Sequence, residues 1–320
     1  MTPSPPATPE APTTPSGVRA RIVRLSRNVR HLARSTAFYE TRLGFVRCGP
    51  SQTLDPALAC LWGASGQPLE RQRLQLGASE LELVGVGSVT AAGHSEDSRA
   101  DDLWFQHFAI RCPDLGQAFA RLYRPDPGVP LPRAISHRGD GTPGPILLPE
   151  SSGGVTAFKF RDPDGHPVEL LGFPARPGDA RDAQPAGIDH SAISVANAAA
   201  SVRFYERWLG FSLASRQCNT GIGQDHLDGL DGVRVDVVGL QTASGHAPHL
   251  ELLGYRFAPR TGHPPPTGLH DVVSDRLVIR VADLDALRRA WTALGLPVEA
   301  ATPDALLIRD PDRHLLMLTR

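Results

Sequence analysis

The sequence predicts an α+β protein made of four strand–helix–strands modules, and three internal matches carry that prediction. Arg34-Ser-Thr-Ala-Phe-Tyr-Glu-Thr-Arg-Leu-Gly-Phe45 returns as Ala200-Ser-Val-Arg-Phe-Tyr-Glu-Arg-Trp-Leu-Gly-Phe211, with Ser35 and Ser201 setting a constant offset of 166 residues. His107-Phe-Ala-Ile-Arg-Cys-Pro-Asp-Leu115 parallels Arg276-Leu-Val-Ile-Arg-Val-Ala-Asp-Leu284. Phe160-Arg-Asp-Pro-Asp-Gly-His-Pro-Val-Glu-Leu170 parallels Ile308-Arg-Asp-Pro-Asp-Arg-His-Leu-Leu-Met-Leu318.

Each element has a local reason. The runs 22–29 and 188–195 read as strands. Phe38 with Leu43, and Phe204 with Leu209, form apolar stripes of the helices that follow. Gly44 and Gly210 suit the left-handed residue that closes a helix. Asp114 and Asp283 are placed to cap the next helices. The Asp-Pro-Asp segments read as tight turns between two strands. Leu81-Glu-Leu-Val-Gly85 and Leu250-Glu-Leu-Leu-Gly254 match as further strands.

The resulting division is a Pro-rich, disordered tail over 1–19, a first half over 20–173 and a second half over 187–320, joined by a linker over 174–186. The modules are 20–86 and 103–173 in the first half, and 187–256 and 273–320 in the second. The Pro/Gly-rich stretch 125–153 reads as a loop on the substrate side.

Composition narrows the function classes. The chain has 320 residues, a net charge of -1, 41% hydrophobic and 21% charged residues, as a globular protein should. No basic excess points to nucleic acid, and no apolar run reaches the ~18 residues of a membrane span. Lys159 is the sole lysine, which reads as base composition. Cys48, Cys60, Cys112 and Cys218 form neither a CxxC pair nor a disulfide framework, so a reduced, cytoplasmic setting is expected. No phosphate loop, nucleophile elbow or EF-hand spacing is present.

The Phe-Tyr-Glu-x-x-Leu-Gly-Phe helix and the Arg-Asp-Pro-Asp-Gly-His-Pro-Val-Glu-Leu hairpin resemble the vicinal oxygen chelate superfamily, which includes glyoxalase I, extradiol dioxygenases and bleomycin-resistance proteins. The resemblance covers nearly everything after residue 20. It implies four βαβββ modules, paired into two eight-stranded curled sheets. It also implies two inward positions per module, a His on the first strand and a Glu on the last.

Those positions hold Arg24 and Glu82 in module 1, His107 and Glu169 in module 2, His190 and Glu251 in module 3, and Arg276 and Met317 in module 4. Only the middle modules keep both types. The resemblance thus implies a metal site of His107, Glu169, His190 and Glu251 for one divalent ion: Zn, Ni, Co, Mn or Fe. Module 2 pairing with module 3 gives one complete site and favours that topology. Sequential pairing would instead leave a three-ligand site of Glu82, His107 and Glu169. Arg24 is expected to pair with Glu82.

The implied activity is that of a lyase or isomerase acting on a small substrate with vicinal oxygens through a metal-stabilised enolate, with Glu169 or Glu251 as base. A non-haem Fe(II) extradiol dioxygenase and a metal-free drug- or metabolite-binding protein of the resistance type are the alternatives. The chain is expected as a monomer or homodimer. Arg133, His137 and Arg138 could take an anionic substrate group, and His226 could touch substrate. His249, two residues before Glu251, should face the same side of its strand. His166 and His314, in the hairpin turns, are expected to be exposed or capping. His246 and His263 fall in polar loops.

Overall fold

The structure is a computed structural model that describes residues 19–64, 68–87, 91–174, 186–242, 245, 247–256 and 268–320. Apart from Arg19, the expected tail lies outside these residues. So do the expected linker, except Pro174 and Ala186, and both His246 and His263.

Module 1 comprises β1 (Ala20–Val29), α1 (Leu32–Leu43), β2 (Val46–Arg47), β3 (Gln52–Thr53), α2 (Pro56–Ala59) with a 3-10 turn Cys60–Trp62, β4 (Glu70–Leu76) and β5 (Ser79–Gly85). Module 2 comprises β6 (Gln106–Arg111), α3 (Leu115–Leu122), β7 (Arg133–Ala134), β8 (Ile146–Leu147), β9 (Thr156–Arg161) and β10 (Pro167–Gly172). Module 3 comprises β11 (Gly187–Ser194), α4 (Ala198–Leu209), β12 (Ser212–Thr220), α5 (Ile222–Asp228), β13 (Arg234–Gln241) and β14 (His249–Tyr255). Module 4 comprises β15 (Asp275–Val281), α6 (Leu284–Ala293), β16 (Ala300–Thr302), β17 (Ala305–Arg309) and β18 (Leu315–Thr319). No described helix is long and apolar enough to cross a membrane.

The strands form two open mixed sheets. One runs β12-β13-β14-β11-β6-β10-β9-β7, and the other β16-β17-β18-β15-β1-β5-β4-β2. Each is the expected eight-strand path plus one short strand, β8 on β9 and β3 on β4, which makes nine. Modules 2 and 3 therefore share one sheet, and modules 1 and 4 the other. The seams are the antiparallel pairs β6–β11 and β1–β15.

One face of both sheets packs against α1, α3, α4 and α6 in a common core. Phe38, Leu43, Leu209 and Trp291 meet strand residues Leu81, Phe108, Leu170, Leu252 and Leu318 there. Side chains alternate along a strand. Glu82, Glu169 and Glu251 each stand between two residues of this core, so they project to the opposite face. The concave side of each sheet, here called the middle bowl (modules 2 and 3) and the end bowl (modules 1 and 4), thereby receives the polar residues.

The repeated motifs bind one another. Gly44 and Gly210 take φ of 78° and 63° and close α1 and α4, their N–H groups returning to the Glu40 and Glu206 carbonyls. Tyr39 Oη donates to Asp162 Oδ2 at 2.7 Å and Ser35 Oγ to Asp164 Oδ2 at 2.6 Å. In the second half Tyr205 donates to Asp310 at 2.9 Å and Ser201 to Asp312 at 3.3 Å. Asp162 Oδ1 accepts from the Asp164 and His166 amides, and Asp310 Oδ1 from those of Asp312 and His314.

His166 and His314 are buried, not exposed. Their Nε2 atoms donate to the carbonyls of Asn28 and Ser194, positions that match across the 166-residue offset. A hairpin turn is a poor guide to exposure here, because the facing strand end has a carbonyl that needs a donor.

Candidate metal centre

The middle bowl is built around two alanines. In the β6–β11 pair His107 stands opposite Ala192, and His190 opposite Ala109. In the flanking parallel pairs Glu169 aligns with Ala109, and Glu251 with Ala192. Both alanines are buried. Small residues at the centre with long polar ones around them leave room for the four side chains to converge.

They do converge. His107 Nε2 lies 3.0 Å from Glu169 Oε2. His190 Nε2 lies 3.7 Å from the same oxygen and 3.6 Å from Glu251 Oε2. The donor atoms of His107, Glu169 and His190 all lie within 4.8 Å of one another. Glu251 stands at the rim, with its side chain 22% exposed against 6% for Glu169. His249 does face the same way: its Nε2 is 3.5 Å from Glu251 Oε1.

Charge is concentrated here. Burial disfavours the charged form of His107 and lowers it, against the pull of Glu169. Burial also works against charged His190, but the carboxylates of Glu251, Asp189 and Glu169 overcome it and hold the imidazole well above its usual range. Burial pushes Glu169 up, yet Lys159 and the two imidazoles hold it well below the ordinary carboxylate range.

The residues fit a cation. His190 Nε2 is buried and has no hydrogen-bond partner among the described residues, although two carboxylates flank it. Ligand atoms about 2.0–2.2 Å from an ion stand roughly 3.0–3.6 Å from each other. The spacings of 3.0 and 3.6 Å fall in that range, and the 3.7 Å one lies just beyond it. Two imidazoles and two carboxylates suit a first-row divalent ion.

Three residues that contact or adjoin the converging four escaped the sequence reading. Asp189 is the extra residue of a β-bulge in β11, and its Oδ2 sits 3.2 Å from His190 Nδ1. A bulge leaves no periodic trace, so the alternation rule could not place it. Lys159 is the cross-strand partner of Glu169 on β9, and its Nζ donates to Asp228 Oδ1 of α5 at 2.6 Å. The signal for Lys159 was its being the sole lysine.

The weaker candidates sit elsewhere. Arg133 is exposed on β7. The His137 amide donates to the His226 carbonyl at 3.1 Å, and His137 Nδ1 lies 3.0 Å from the Ile135 carbonyl. None of the three has a described contact with the four converging side chains.

The end bowl is closed from within. Leu61 and Trp62 pack with Val278, Leu307 and Met317. The Arg276 guanidinium lies 5.3 Å from the Trp62 ring centre and donates to Asn28 Oδ1 and the Leu269 carbonyl. Arg24 and Arg71 pair with buried Glu82 at 3.7 and 3.3 Å, so the expected Arg24–Glu82 pair is present.

A family profile described as "Glyoxalase/Bleomycin resistance protein/Dioxygenase superfamily" matches residues 21–170 and 187–318. No curated protein matches the chain. Among solved structures, glyoxalase I from Zea mays is similar at 16% identity and TM-score 0.58, over 94% of this chain and 92% of that one. A variant of that enzyme gives 16% identity and 0.61 over 95% and 93%. A protein from Bacillus subtilis named as a candidate dioxygenase gives 13% and 0.54 over 93% and 84%. At these identities the likeness shows the fold.

Proposed function

We propose, since the chain belongs to the Glyoxalase/Bleomycin resistance protein/Dioxygenase superfamily, that its middle bowl is a divalent-metal centre serving a lyase or isomerase reaction on a small substrate with two adjacent oxygens. The observation that carries this reading is the unsatisfied, buried His190 Nε2 between the Glu169 and Glu251 carboxylates, with His107 on the same Glu169 oxygen. A cation between the carboxylates would give that nitrogen a partner.

His107, Glu169, His190 and Glu251 would hold the ion. When bound, the ion would act as a Lewis acid that favours the enolate form of a chelated substrate. The protein's own groups divide the remaining work. Asp189 holds the Nδ1 side of His190, which directs the Nε2 lone pair into the bowl. Glu169, buried between two imidazoles and beside Lys159, is fixed. Glu251, at the open rim and touching His249, has the freedom to take a proton from one carbon of the substrate and return it to the next.

The test is the metal content of protein purified without chelators. We expect about one equivalent in the parent and almost none in His107→Ala or Glu169→Ala. Variants that hold as much metal as the parent would sink the reading. Oxygen uptake with catechols would replace the lyase or isomerase assignment with ring cleavage. A metal-free parent that still binds aromatic ligands would replace it with sequestration.

A further inference from the structure

We infer that Lys159 is a substrate-binding residue, and that the substrate carries a carboxylate beside its second metal-binding oxygen, as an α-hydroxy or α-oxo acid does. This rests on the metal reading above and adds the class of substrate.

Four observations converge on Lys159. Its neighbours Phe158 and Phe160 belong to the helix-side core, so alternation turns Lys159 into the bowl. It pairs directly with Glu169 across β9–β10, so the two side chains share one patch of that face. It is only 4% exposed. The one described hydrogen bond of its ammonium goes to Asp228. An ammonium has three N–H donors, so donor capacity remains at a buried position next to Glu169.

The position is specific to this bowl. The residues that pair with the equivalent strand position in the other modules are Arg73, Gly239 and Leu307. Every other basic residue of the Lys+Arg total of 33 is arginine, yet here the chain uses its only lysine. A guanidinium would reach past Asp228 with a planar fork. An ammonium is a compact charge that can serve several acceptors at once.

Asp228 explains how the charge is kept in place. It sits at the end of α5 and also accepts from Gln224 Nε2 at 2.8 Å and Tyr255 Oη at 3.0 Å. Three donors on one carboxylate fix its position, and the carboxylate in turn fixes the ammonium. Burying such an ion pair costs solvation that the pair only partly regains. The residual donors make sense if an anionic oxygen completes the ammonium's partners when substrate is bound. A carboxylate chelating the ion through one oxygen would present its other oxygen to a group beside Glu169. A neutral diketone would not.

The sole lysine makes a clean reporter. Protein labelled with 13Cε-lysine gives one side-chain signal, and oxalate serves as the probe, a small dianion with vicinal oxygens. With zinc-loaded protein we expect oxalate to shift that signal. By calorimetry, we expect oxalate affinity to fall at least tenfold in Lys159→Met and much less in Lys159→Arg, with zinc affinity held within threefold. An unmoved lysine signal on oxalate saturation overturns the proposal, and so does equal oxalate affinity in Lys159→Met. If Lys159→Met fails to fold, the labelled parent still decides. If the parent takes up no zinc, the metal reading fails by itself. Oxalate titrated into the same unloaded protein then decides for lysine: a shift supports the anion site and no shift removes it.

Discussion

The middle bowl surrounds Ala109 and Ala192 with two imidazoles and two carboxylates, whereas the end bowl offers Arg24, Glu82, Arg276 and Met317 at the matching places and fills the space with Trp62. The backbones are alike. Each sheet joins its modules through an antiparallel seam, and each seam carries a bulge, at Asp189 in β11 and at Val23 in β1. The difference lies in a few side chains on one face. Asp189 holds a histidine, while Val23 packs against an apolar plug. The same curled sheet thus yields a charged, partly open hollow or a sealed core, according to whether its concave positions are polar and whether a helix–turn segment enters.

The largest effect that separates the bowls should be metal binding itself. His190→Ala should take the zinc content of the protein from about one equivalent to near zero, read by elemental analysis after dialysis. Glu82→Gln should leave that content unchanged. Equal losses in both would erase the distinction between the bowls.

Stability should show the reverse pattern. Trp62 is a nearly buried aromatic that stacks on the Arg276 guanidinium and packs into the end-bowl core. Removing a buried Trp side chain costs about 3–5 kcal/mol. Trp62→Ala should therefore lower the urea midpoint markedly and spare zinc affinity. A loss of zinc affinity there would mean that the end bowl supports the middle one more closely than the separate sheets imply.

A finer exchange swaps the bulge residue. Asp189→Val installs the end bowl's side chain in the middle bowl. Partners that orient a metal-binding histidine are worth about 10–100-fold in affinity, and a competition titration with a chromophoric chelator should find a loss in that range. No loss would leave His190 oriented by the backbone alone.

These differences bear on what could be read from the sequence. The modules were legible because Ser35, Tyr39, Gly44, Asp162 and Asp164 recur, and the structure shows why they recur. The helix residues dock the hairpin residues, so neither set can drift alone. The converging residues were legible by alternation, since Glu169 and Glu251 stand between core leucines and valines. The resemblance supplied their proposed role. Three features were not legible. A bulge places Asp189 out of period. Lys159 and Asp228 are 69 residues apart and meet only because α5 of module 3 crosses onto β9 of module 2. His166 was misread because burial of a turn depends on the strand that it meets, which a local motif does not reveal.

The smallest expected effect compares the two hairpins. Asp162 faces Arg27 at 3.5 Å, and Arg27 is held further by Asp275 at 2.6 Å and by the Tyr39 hydroxyl at 2.8 Å. Counting the 166-residue offset, the partner of Arg27 in the second half is Ile193, so among the described residues Asp310 has the tyrosine and the amides but no arginine contact. Burial pushes Asp310 up, against the pull of His314 and its amide donors. A carboxyl whose folded value exceeds its unfolded one contributes stability that is complete below about pH 4 and is lost as pH rises through the folded value. Asp310→Asn keeps an acceptor for the His314 and Asp312 amides, and the Tyr205 hydroxyl can turn to accept from the new amide. It should match the parent near pH 4 and become the more stable of the two toward pH 7, by less than about 1 kcal/mol. Asp162→Asn removes a charged partner from a buried guanidinium and should cost about 1–3 kcal/mol at pH 7. Urea midpoints of both variants across that interval check the pair. Opposite signs at neutral pH would show that Arg27, which the repeat did not duplicate, decides whether a carboxylate in the hairpin stabilises the fold.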